Sequence, residues 1–249
     1  MAATQLRQLI HALQQRDASH PMVRRALSIQ PAIDLGVLVE LIEGVLTDTG
    51  SVRIQTHEEL FRYCYQVAGT VGLLMCDIFE VQDVRARHHA VDLGIAMQLT
   101  NIARDVVEDA ASGRRYLPAD TVGDLEPSDI LNPQPKHTEM IELAVGKLLD
   151  EAELRYASGF SGLPFLPLRA RITILIAGLV YREIGMVIAD RSFDVWQPRA
   201  FTTGSQKLVT AVRALLTFAM DPRVHRYRGP HDARLHLGLP KRPGVHLAV

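Results

Sequence analysis

The sequence predicts an all-α protein, and three observations predict it. Apolar residues recur at helical spacing through almost every segment, and no stretch keeps the strict alternation of a half-buried strand. Helix punctuation also falls where helix ends need it. Pro21 suits a first helical turn, Thr56 precedes Glu59 at capping-box spacing, and Gly113 follows a long periodic run.

Taken in order, the first helix runs from about Thr4 to Gln15, with Leu6, Leu9, Ile10 and Leu13 on one stripe. A short helix opens at Pro21, and another covers about Ala32 to Thr47 and stops near Gly50. Thr56 starts a long helix to Phe79, and a second long helix spans about Val84 to Ser112, with Gly113 as its stop. Residues 117–137 hold four prolines among Asp, Asn and Ser and read as a loop. Three helices follow, from Thr138 to about Ser158, Leu168 to Asp190 and Ser205 to Met220. No break in composition divides them, so residues 1–220 form one domain. Asp221 to Val249 carries six Lys/Arg and four His with few large apolar groups. It reads as a basic, poorly ordered tail, with a patch for anionic lipid as the alternative.

At 249 residues, 47 % apolar, 22 % charged and a net charge of −1, the chain can bury a sizeable core and has no pull toward nucleic acid. Cys64 and Cys76 lie roughly 18 Å apart along a shared helix, too far for a disulfide, which predicts buried thiols in a reducing compartment. The N-terminus has no long apolar run and is neither a signal peptide nor a span. The apolar run Ile172 to Val180 is nine residues and suits a buried helix. The expectation is a cytoplasmic protein, at most peripheral on a membrane.

The chemistry is concentrated in DLGIAMQLTNIARDVVEDAASGRRYLP, residues 92–118. On one helix, Gly94, Gln98, Asn101, Asp105 and Asp109 fall within an arc of roughly 80°, a polar stripe on an element otherwise built for burial. Burying carboxylates and amides costs several kcal/mol unless they are compensated. Two compensations are open. One is a network of salt bridges with Arg104, Arg114 and Arg115. The other is a divalent cation at Asp105 and Asp109, since Mg²⁺ typically takes one or two carboxylates and completes its shell with water and phosphate.

The string G-x-A-x-Q-L-T-N-I-x-R-D-x-x-x-D followed by G-R-x-Y-L-P resembles the second acidic signature of the phytoene and squalene synthases. RYCYQVAGTVGLLM, residues 62–75, is similar to the family's other signature, which lines the substrate channel, and LIEGVLTD (41–48) and the stretch from LPLRA to about Leu208 also resemble bacterial phytoene synthases. The resemblance covers most of residues 5–220. It implies a single-domain isoprenoid-synthase helical bundle around a central cavity. It also implies Mg²⁺-dependent (or Mn²⁺-dependent) head-to-head condensation of two geranylgeranyl diphosphates to phytoene through a cyclopropyl diphosphate. A squalene or dehydrosqualene synthase using farnesyl diphosphate is the alternative.

Carried over residue by residue, the resemblance implies that Asp105, Asp109 and Asn101 hold the metal against a diphosphate, with Gln98 and Gly94 beside them. Arg104, Arg114 and Arg199 would neutralise phosphate or brace the carboxylates. Tyr63, Tyr116 and Tyr181 match tyrosines that face the reaction centre or the diphosphate. Ala68, Gly69 and Gly72 form a small-residue strip that serves either close helix packing or a prenyl groove, and the resemblance favours the groove.

The family's first acidic motif, D-x-x-x-D on an early helix, has no counterpart in this sequence, and Asp34, Glu43 and Asp48 do not substitute for it. The expectation is a chain lacking about two N-terminal helices and short of full activity alone. The competing expectation is a divergent relative that keeps the fold for lipid binding or complex assembly. His88 and His89 are adjacent and point apart on a helix, the histidines of residues 221–249 show no ligand spacing, and Trp196 reads as a packing residue.

Overall fold

The computed structural model describes residues 2–29, 33–200, 203–227 and 229–239, and among them it is helical with no strand. The chain forms α1 (Ala2–Gln14), α2 (Pro21–Ile29) and α3 (Leu35–Thr47), then α4 (His57–Cys64), a π-helical turn (Tyr65–Gly69) and α5 (Thr70–Ile78). It continues with α6 (Arg85–Arg104), α7 (Val106–Ala111), α8 (Ala119–Val122), α9 (Pro127–Leu131), α10 (Pro135–Ser161), α11 (Leu168–Asp190) and α12 (Gly204–Met220). The stretch read as a loop, 117–137, thus contains two short helices.

α6 is the central element and packs against α5, the π-turn, α10 and α11. Its inward residues Val91, Ile95, Leu99 and Ala103 follow one another every four positions and are all fully buried, as one helix face must be. α1 and α3 pack on each other and, with α2, build a smaller core from Leu13, Val23 and Leu35, with Leu9 and Leu27 against it. α11 is long and apolar enough to cross a membrane by length and composition; it packs on α6, α10 and α12, with only 22 % of its apolar stretch buried.

Two predicted long helices are interrupted. The helix opened by Thr56, whose hydroxyl accepts from Glu59 N at 3.2 Å, passes through the π-turn. There Thr70 N donates to Tyr65 O, a spacing of five residues. The other breaks at Asp105 (φ −102°, ψ 16°), although Asp105 N still donates to Asn101 O and Asp109 N to Asp105 O. Gly113 then turns the chain at φ +73°, the left-handed conformation that suits glycine.

The small-residue strip packs helices together. A Cβ on Gly72 would fall 2.3 Å from the Ala90 carbonyl oxygen, and one on Gly94 would fall 2.3 Å from that of Ala68. These glycines let the π-turn and α5 touch α6 backbone to backbone. Close packing is therefore the first role of the strip, against the preference for a groove.

The segment after α12 differs from the expected solvated tail over its described residues. His231 and His236 are buried against Asp92 of α6, Leu239 packs on the main core, and Arg155 donates to Leu235 O at 3.1 Å. A fully buried carboxylate gives this segment its anchor. Both cysteines are free and buried, and Trp196 packs on the core while its indole donates to Ile130 O at 2.8 Å.

Candidate active site

After α7 the turn at Gly113 sends the chain back toward residues 52–55. Arg115 N donates to Val52 O at 2.9 Å and Ile54 N to Arg115 O at 3.1 Å, forming the isolated bridge Arg53–Arg115. The buried Arg115 guanidinium donates to Ile54 O and Leu117 O and so fixes this turn from inside. The result is that Tyr116 lies on Tyr63, with ring centroids 5.0 Å apart. Both hydroxyls donate to Asp48, Tyr116 to Oδ1 at 2.7 Å and Tyr63 to Oδ2 at 3.0 Å. Burial, and then Asp48 among the smaller causes, pushes the Tyr116 phenol up to about 12, and burial pushes that of Tyr63 up as well.

The two acidic residues of the helix differ sharply. Asp105 accepts from Arg104 (Nε at 2.7 Å, Nη2 at 2.5 Å) and from Arg199 Nε at 2.8 Å. Burial raises its carboxyl, but these hydrogen bonds outweigh burial and hold it below the ordinary range. Asp109 has no salt bridge among the described residues. Burial, then the Asp105 charge, with Asp48 and Glu108 adding to it and Arg114 opposing, pushes its carboxyl up to about 6. Of the two compensations foreseen, arginine is found at Asp105, through Arg104 and Arg199, while Arg115 turns to backbone carbonyls and Asp109 keeps no ion pair among the described residues.

One turn before Asp105, the Asn101 amide donates to Gln98 Oε1 at 3.4 Å, while Asn101 Oδ1 is buried with no partner among the described residues. Gln98 and Asn101 border an apolar cavity of about 330 Å³ that runs along α6 to Ala86, roughly 22 Å at helical rise. Ala68, Gly72, Gly94 and Tyr181 also line it, so the groove exists beside the packed strip. Gly69 does not reach it and instead packs near the Tyr65 ring and Val91. A larger cavity of about 630 Å³ lies between α10, α11 and α12 and touches none of the predicted site residues.

The donor set fits Mg²⁺. A carboxylate raised by burial and by three acidic neighbours, and an amide oxygen without a donor, are hard oxygen ligands in a locally anionic site. Asp48, set aside in the sequence as a substitute for the first acidic motif, is placed by its two tyrosine hydrogen bonds at the site. Its only signal is the acidic end of LIEGVLTD, and its partners lie 15 and 68 residues away.

The sequence profile of the squalene/phytoene synthase family matches residues 1–206. The chain is 41 % identical over 196 residues to the 15-cis-phytoene synthase of Enterobacter agglomerans, covering 78 % of this chain and 65 % of that protein. It is 37 % identical over 193 residues to the phytoene synthase of Thermus thermophilus, covering 77 % and 65 %. It therefore spans about two thirds or less of the length of these relatives. Among solved structures it resembles a dehydrosqualene synthase (TM-score 0.71, 26 % identity, 86 % of this chain and 78 % of that one). It also shares its fold with a squalene synthase from Alicyclobacillus acidocaldarius (TM-score 0.64, 21 % identity, 74 % and 71 %). With the acidic helix, the paired tyrosines and the apolar cavity on one bundle, the chain belongs to the squalene/phytoene synthase family.

Proposed function

We propose that this chain carries the diphosphate- and prenyl-binding half of a phytoene synthase, which condenses two geranylgeranyl diphosphates head to head. The carrying observation is the adjacency of an anionic oxygen cluster and a long apolar cavity, with Gln98 and Asn101 at their junction. A prenyl diphosphate has the same polarity, with a charged head on an apolar tail.

In this reading Asp109, Asn101 and Asp105 would hold Mg²⁺, which would supply positive charge to the diphosphate. Arg104, Arg199 and Arg114 add fixed positive charge on the same side. The apolar walls exclude water from the allylic cation, and Tyr181 offers an aromatic ring at the cavity wall. Asp48 acts through Tyr63 and Tyr116, holding both hydroxyls away from the cation as hydrogen-bonded donors.

Farnesyl diphosphate as substrate is favoured by one observation, the likeness to a dehydrosqualene synthase. Peripheral contact of this cytoplasmic protein with lipid is supported by the outer face of α12, where Leu208, Val209, Val212, Leu216 and Met220 are exposed. The deciding experiment is calorimetry of this chain with non-hydrolysable geranylgeranyl and farnesyl diphosphates, with and without Mg²⁺, followed by product analysis from the labelled substrates. Mg²⁺-dependent binding that is tighter for the longer chain is expected. Binding indifferent to Mg²⁺ defeats the reading, and tighter binding of the shorter chain with a C30 product replaces it with the farnesyl one.

A further inference from the structure

Far from the acidic helix end, one fully buried carboxylate gathers four imidazoles. Asp92, one turn beyond His88 on α6, has no exposed surface. Its Oδ2 lies 2.7 Å from His231 Nε2 and its Oδ1 lies 3.0 Å from His236 Nε2. The three ligand atoms, one from each residue, lie within 4.8 Å of one another. The His88 ring stands 5.2 Å from that of His231 and 5.7 Å from that of His236, and His89 stands 5.3 Å from His231.

A hydrogen-bonded cluster alone accounts for this arrangement poorly. Among the described residues no lysine or arginine is ion-paired with Asp92, so its buried charge is met only by two imidazoles and the Ser158 hydroxyl. His88 Nδ1, His89 Nε2 and His231 Nδ1 are buried with no hydrogen-bond partner. Native interiors seldom leave three such atoms together. A divalent cation held by Asp92, His231 Nε2 and His236 Nε2 supplies positive charge beside the buried carboxylate.

We propose that Asp92, His231 and His236, with the His88 ring beside them, form a site for a divalent transition-metal ion such as Zn²⁺, which fastens the segment after α12 to α6. Two or three imidazoles and one carboxylate suit such an ion and are a poor choice for Mg²⁺. Zn–N and Zn–O bonds of about 2.0–2.1 Å place tetrahedral ligands about 3.3 Å apart, so loading spreads the present contacts by only a few tenths of an ångström. The outer shell is also built. Ser158 Oγ donates to Asp92 Oδ2 at 2.5 Å and meets His89 Nδ1 at 3.0 Å, orienting the carboxylate from α10. A groove of about 560 Å³ that touches Ser158 and His231 offers a way in. The site brings together residues 139 and 144 positions apart and is independent of the diphosphate site.

The test strips the purified full chain with a chelator and titrates it with Co²⁺, reading the visible ligand-field bands that four-coordinate nitrogen-rich Co²⁺ displays strongly. About one Co²⁺ per chain is expected, displaced by Zn²⁺ and not by excess Mg²⁺, with melting temperature rising by several degrees on loading. His231→Ala and His236→Ala should each lose the bands, whereas His225→Ala, in the same segment, and Asp105→Asn should keep them. Because the unaltered chain is titrated first, a misfolded variant does not cloud the result. Weak bands that Mg²⁺ removes, no saturable binding, or equal binding by the His231→Ala/His236→Ala double variant overturns the site and leaves a hydrogen-bonded cluster.

Discussion

Tyr116 gives its hydroxyl to Asp48 at 2.7 Å across 68 residues of sequence, and Tyr63 gives its own to the other oxygen of the same carboxylate at 3.0 Å. One acidic side chain at the end of α3 thereby holds together the start of the bundle, the channel helix and the loop after α7. Removing it strands two buried phenols, and each unsatisfied donor costs about 1–3 kcal/mol.

Asp48→Ala should therefore lower stability by about 2–4 kcal/mol, a fall of roughly 5–15 °C in a chain of this size. Asp48→Asn keeps one acceptor oxygen and should lose about half as much. Thermal denaturation of the three proteins compares these directly. Equal melting temperatures for the parent chain and Asp48→Ala would mean the tyrosines find other acceptors.

The glycine strip and the cavity make separable demands. At Gly72 any side chain meets the Ala90 carbonyl, so Gly72→Ala should push α5 from α6 and cost about 1–3 kcal/mol while weakening prenyl diphosphates of every length alike. Ile174 lines the cavity with His89, Leu163 and Leu166, at the end away from Asn101. Ile174→Trp should shorten the cavity and weaken geranylgeranyl diphosphate about tenfold, or about 1.4 kcal/mol, relative to a C10 diphosphate. Titration of both ligands into both variants decides it, and chain-length selectivity at Gly72 but not Ile174 would reverse the assignment.

Much of this was legible in the sequence, and the losses have physical reasons. α11 was read from Leu168 to Asp190 as found, because a long uninterrupted apolar period leaves one solution. The break at Asp105 and the π-turn at Tyr65 were not, because both stretches keep helical periodicity in the sequence. Spacing puts Gln98, Asn101, Asp105 and Asp109 on one stripe, yet it could not reveal that arginines hold Asp105 and leave Asp109. His231 and His236 were missed altogether. A basic, histidine-rich segment looks solvated until its partner, Asp92, is known to be buried.

That arginine asymmetry predicts different behaviour for two mutations that look equivalent. Asp105→Asn leaves Arg104 and Arg199 with weaker acceptors and should cost about 1–3 kcal/mol of stability. Asp109→Asn removes a carboxylate that its neighbours oppose, so the fold should be unchanged or firmer near pH 7. Both should abolish Mg²⁺-dependent binding of a non-hydrolysable prenyl diphosphate. Retained Mg²⁺ dependence in Asp109→Asn would remove Asp109 from the ligand set.

The raised carboxyl of Asp109 also predicts how stability and metal binding change with pH. Its folded value of about 6 lies above the ordinary 3.8 of an aspartate, so the native state binds this proton more tightly than the unfolded chain. Its contribution is therefore most favourable at low pH, falls as pH rises from about 4 to about 6, and stays unfavourable above. His88 and His89 work in the opposite sense. Burial pushes each down to about 4 from 6.5, so their contribution is full above about 6.5 and is lost as pH falls toward 4. The two trends overlap in the total curve, so the difference between the parent chain and Asp109→Asn is the informative quantity. Calorimetric melting in chelator should show Asp109→Asn gaining on the parent chain from pH 4 to 6, with a constant advantage above. Mg²⁺ competes with that same proton, so its stabilisation of the parent chain should be strong at pH 7.5, weaken through pH 6 and vanish near pH 5. Parallel curves for the two proteins would show that the acidic neighbours do not act on Asp109, and with that the electrostatic case for a cation between Asp109 and Asn101 would be lost.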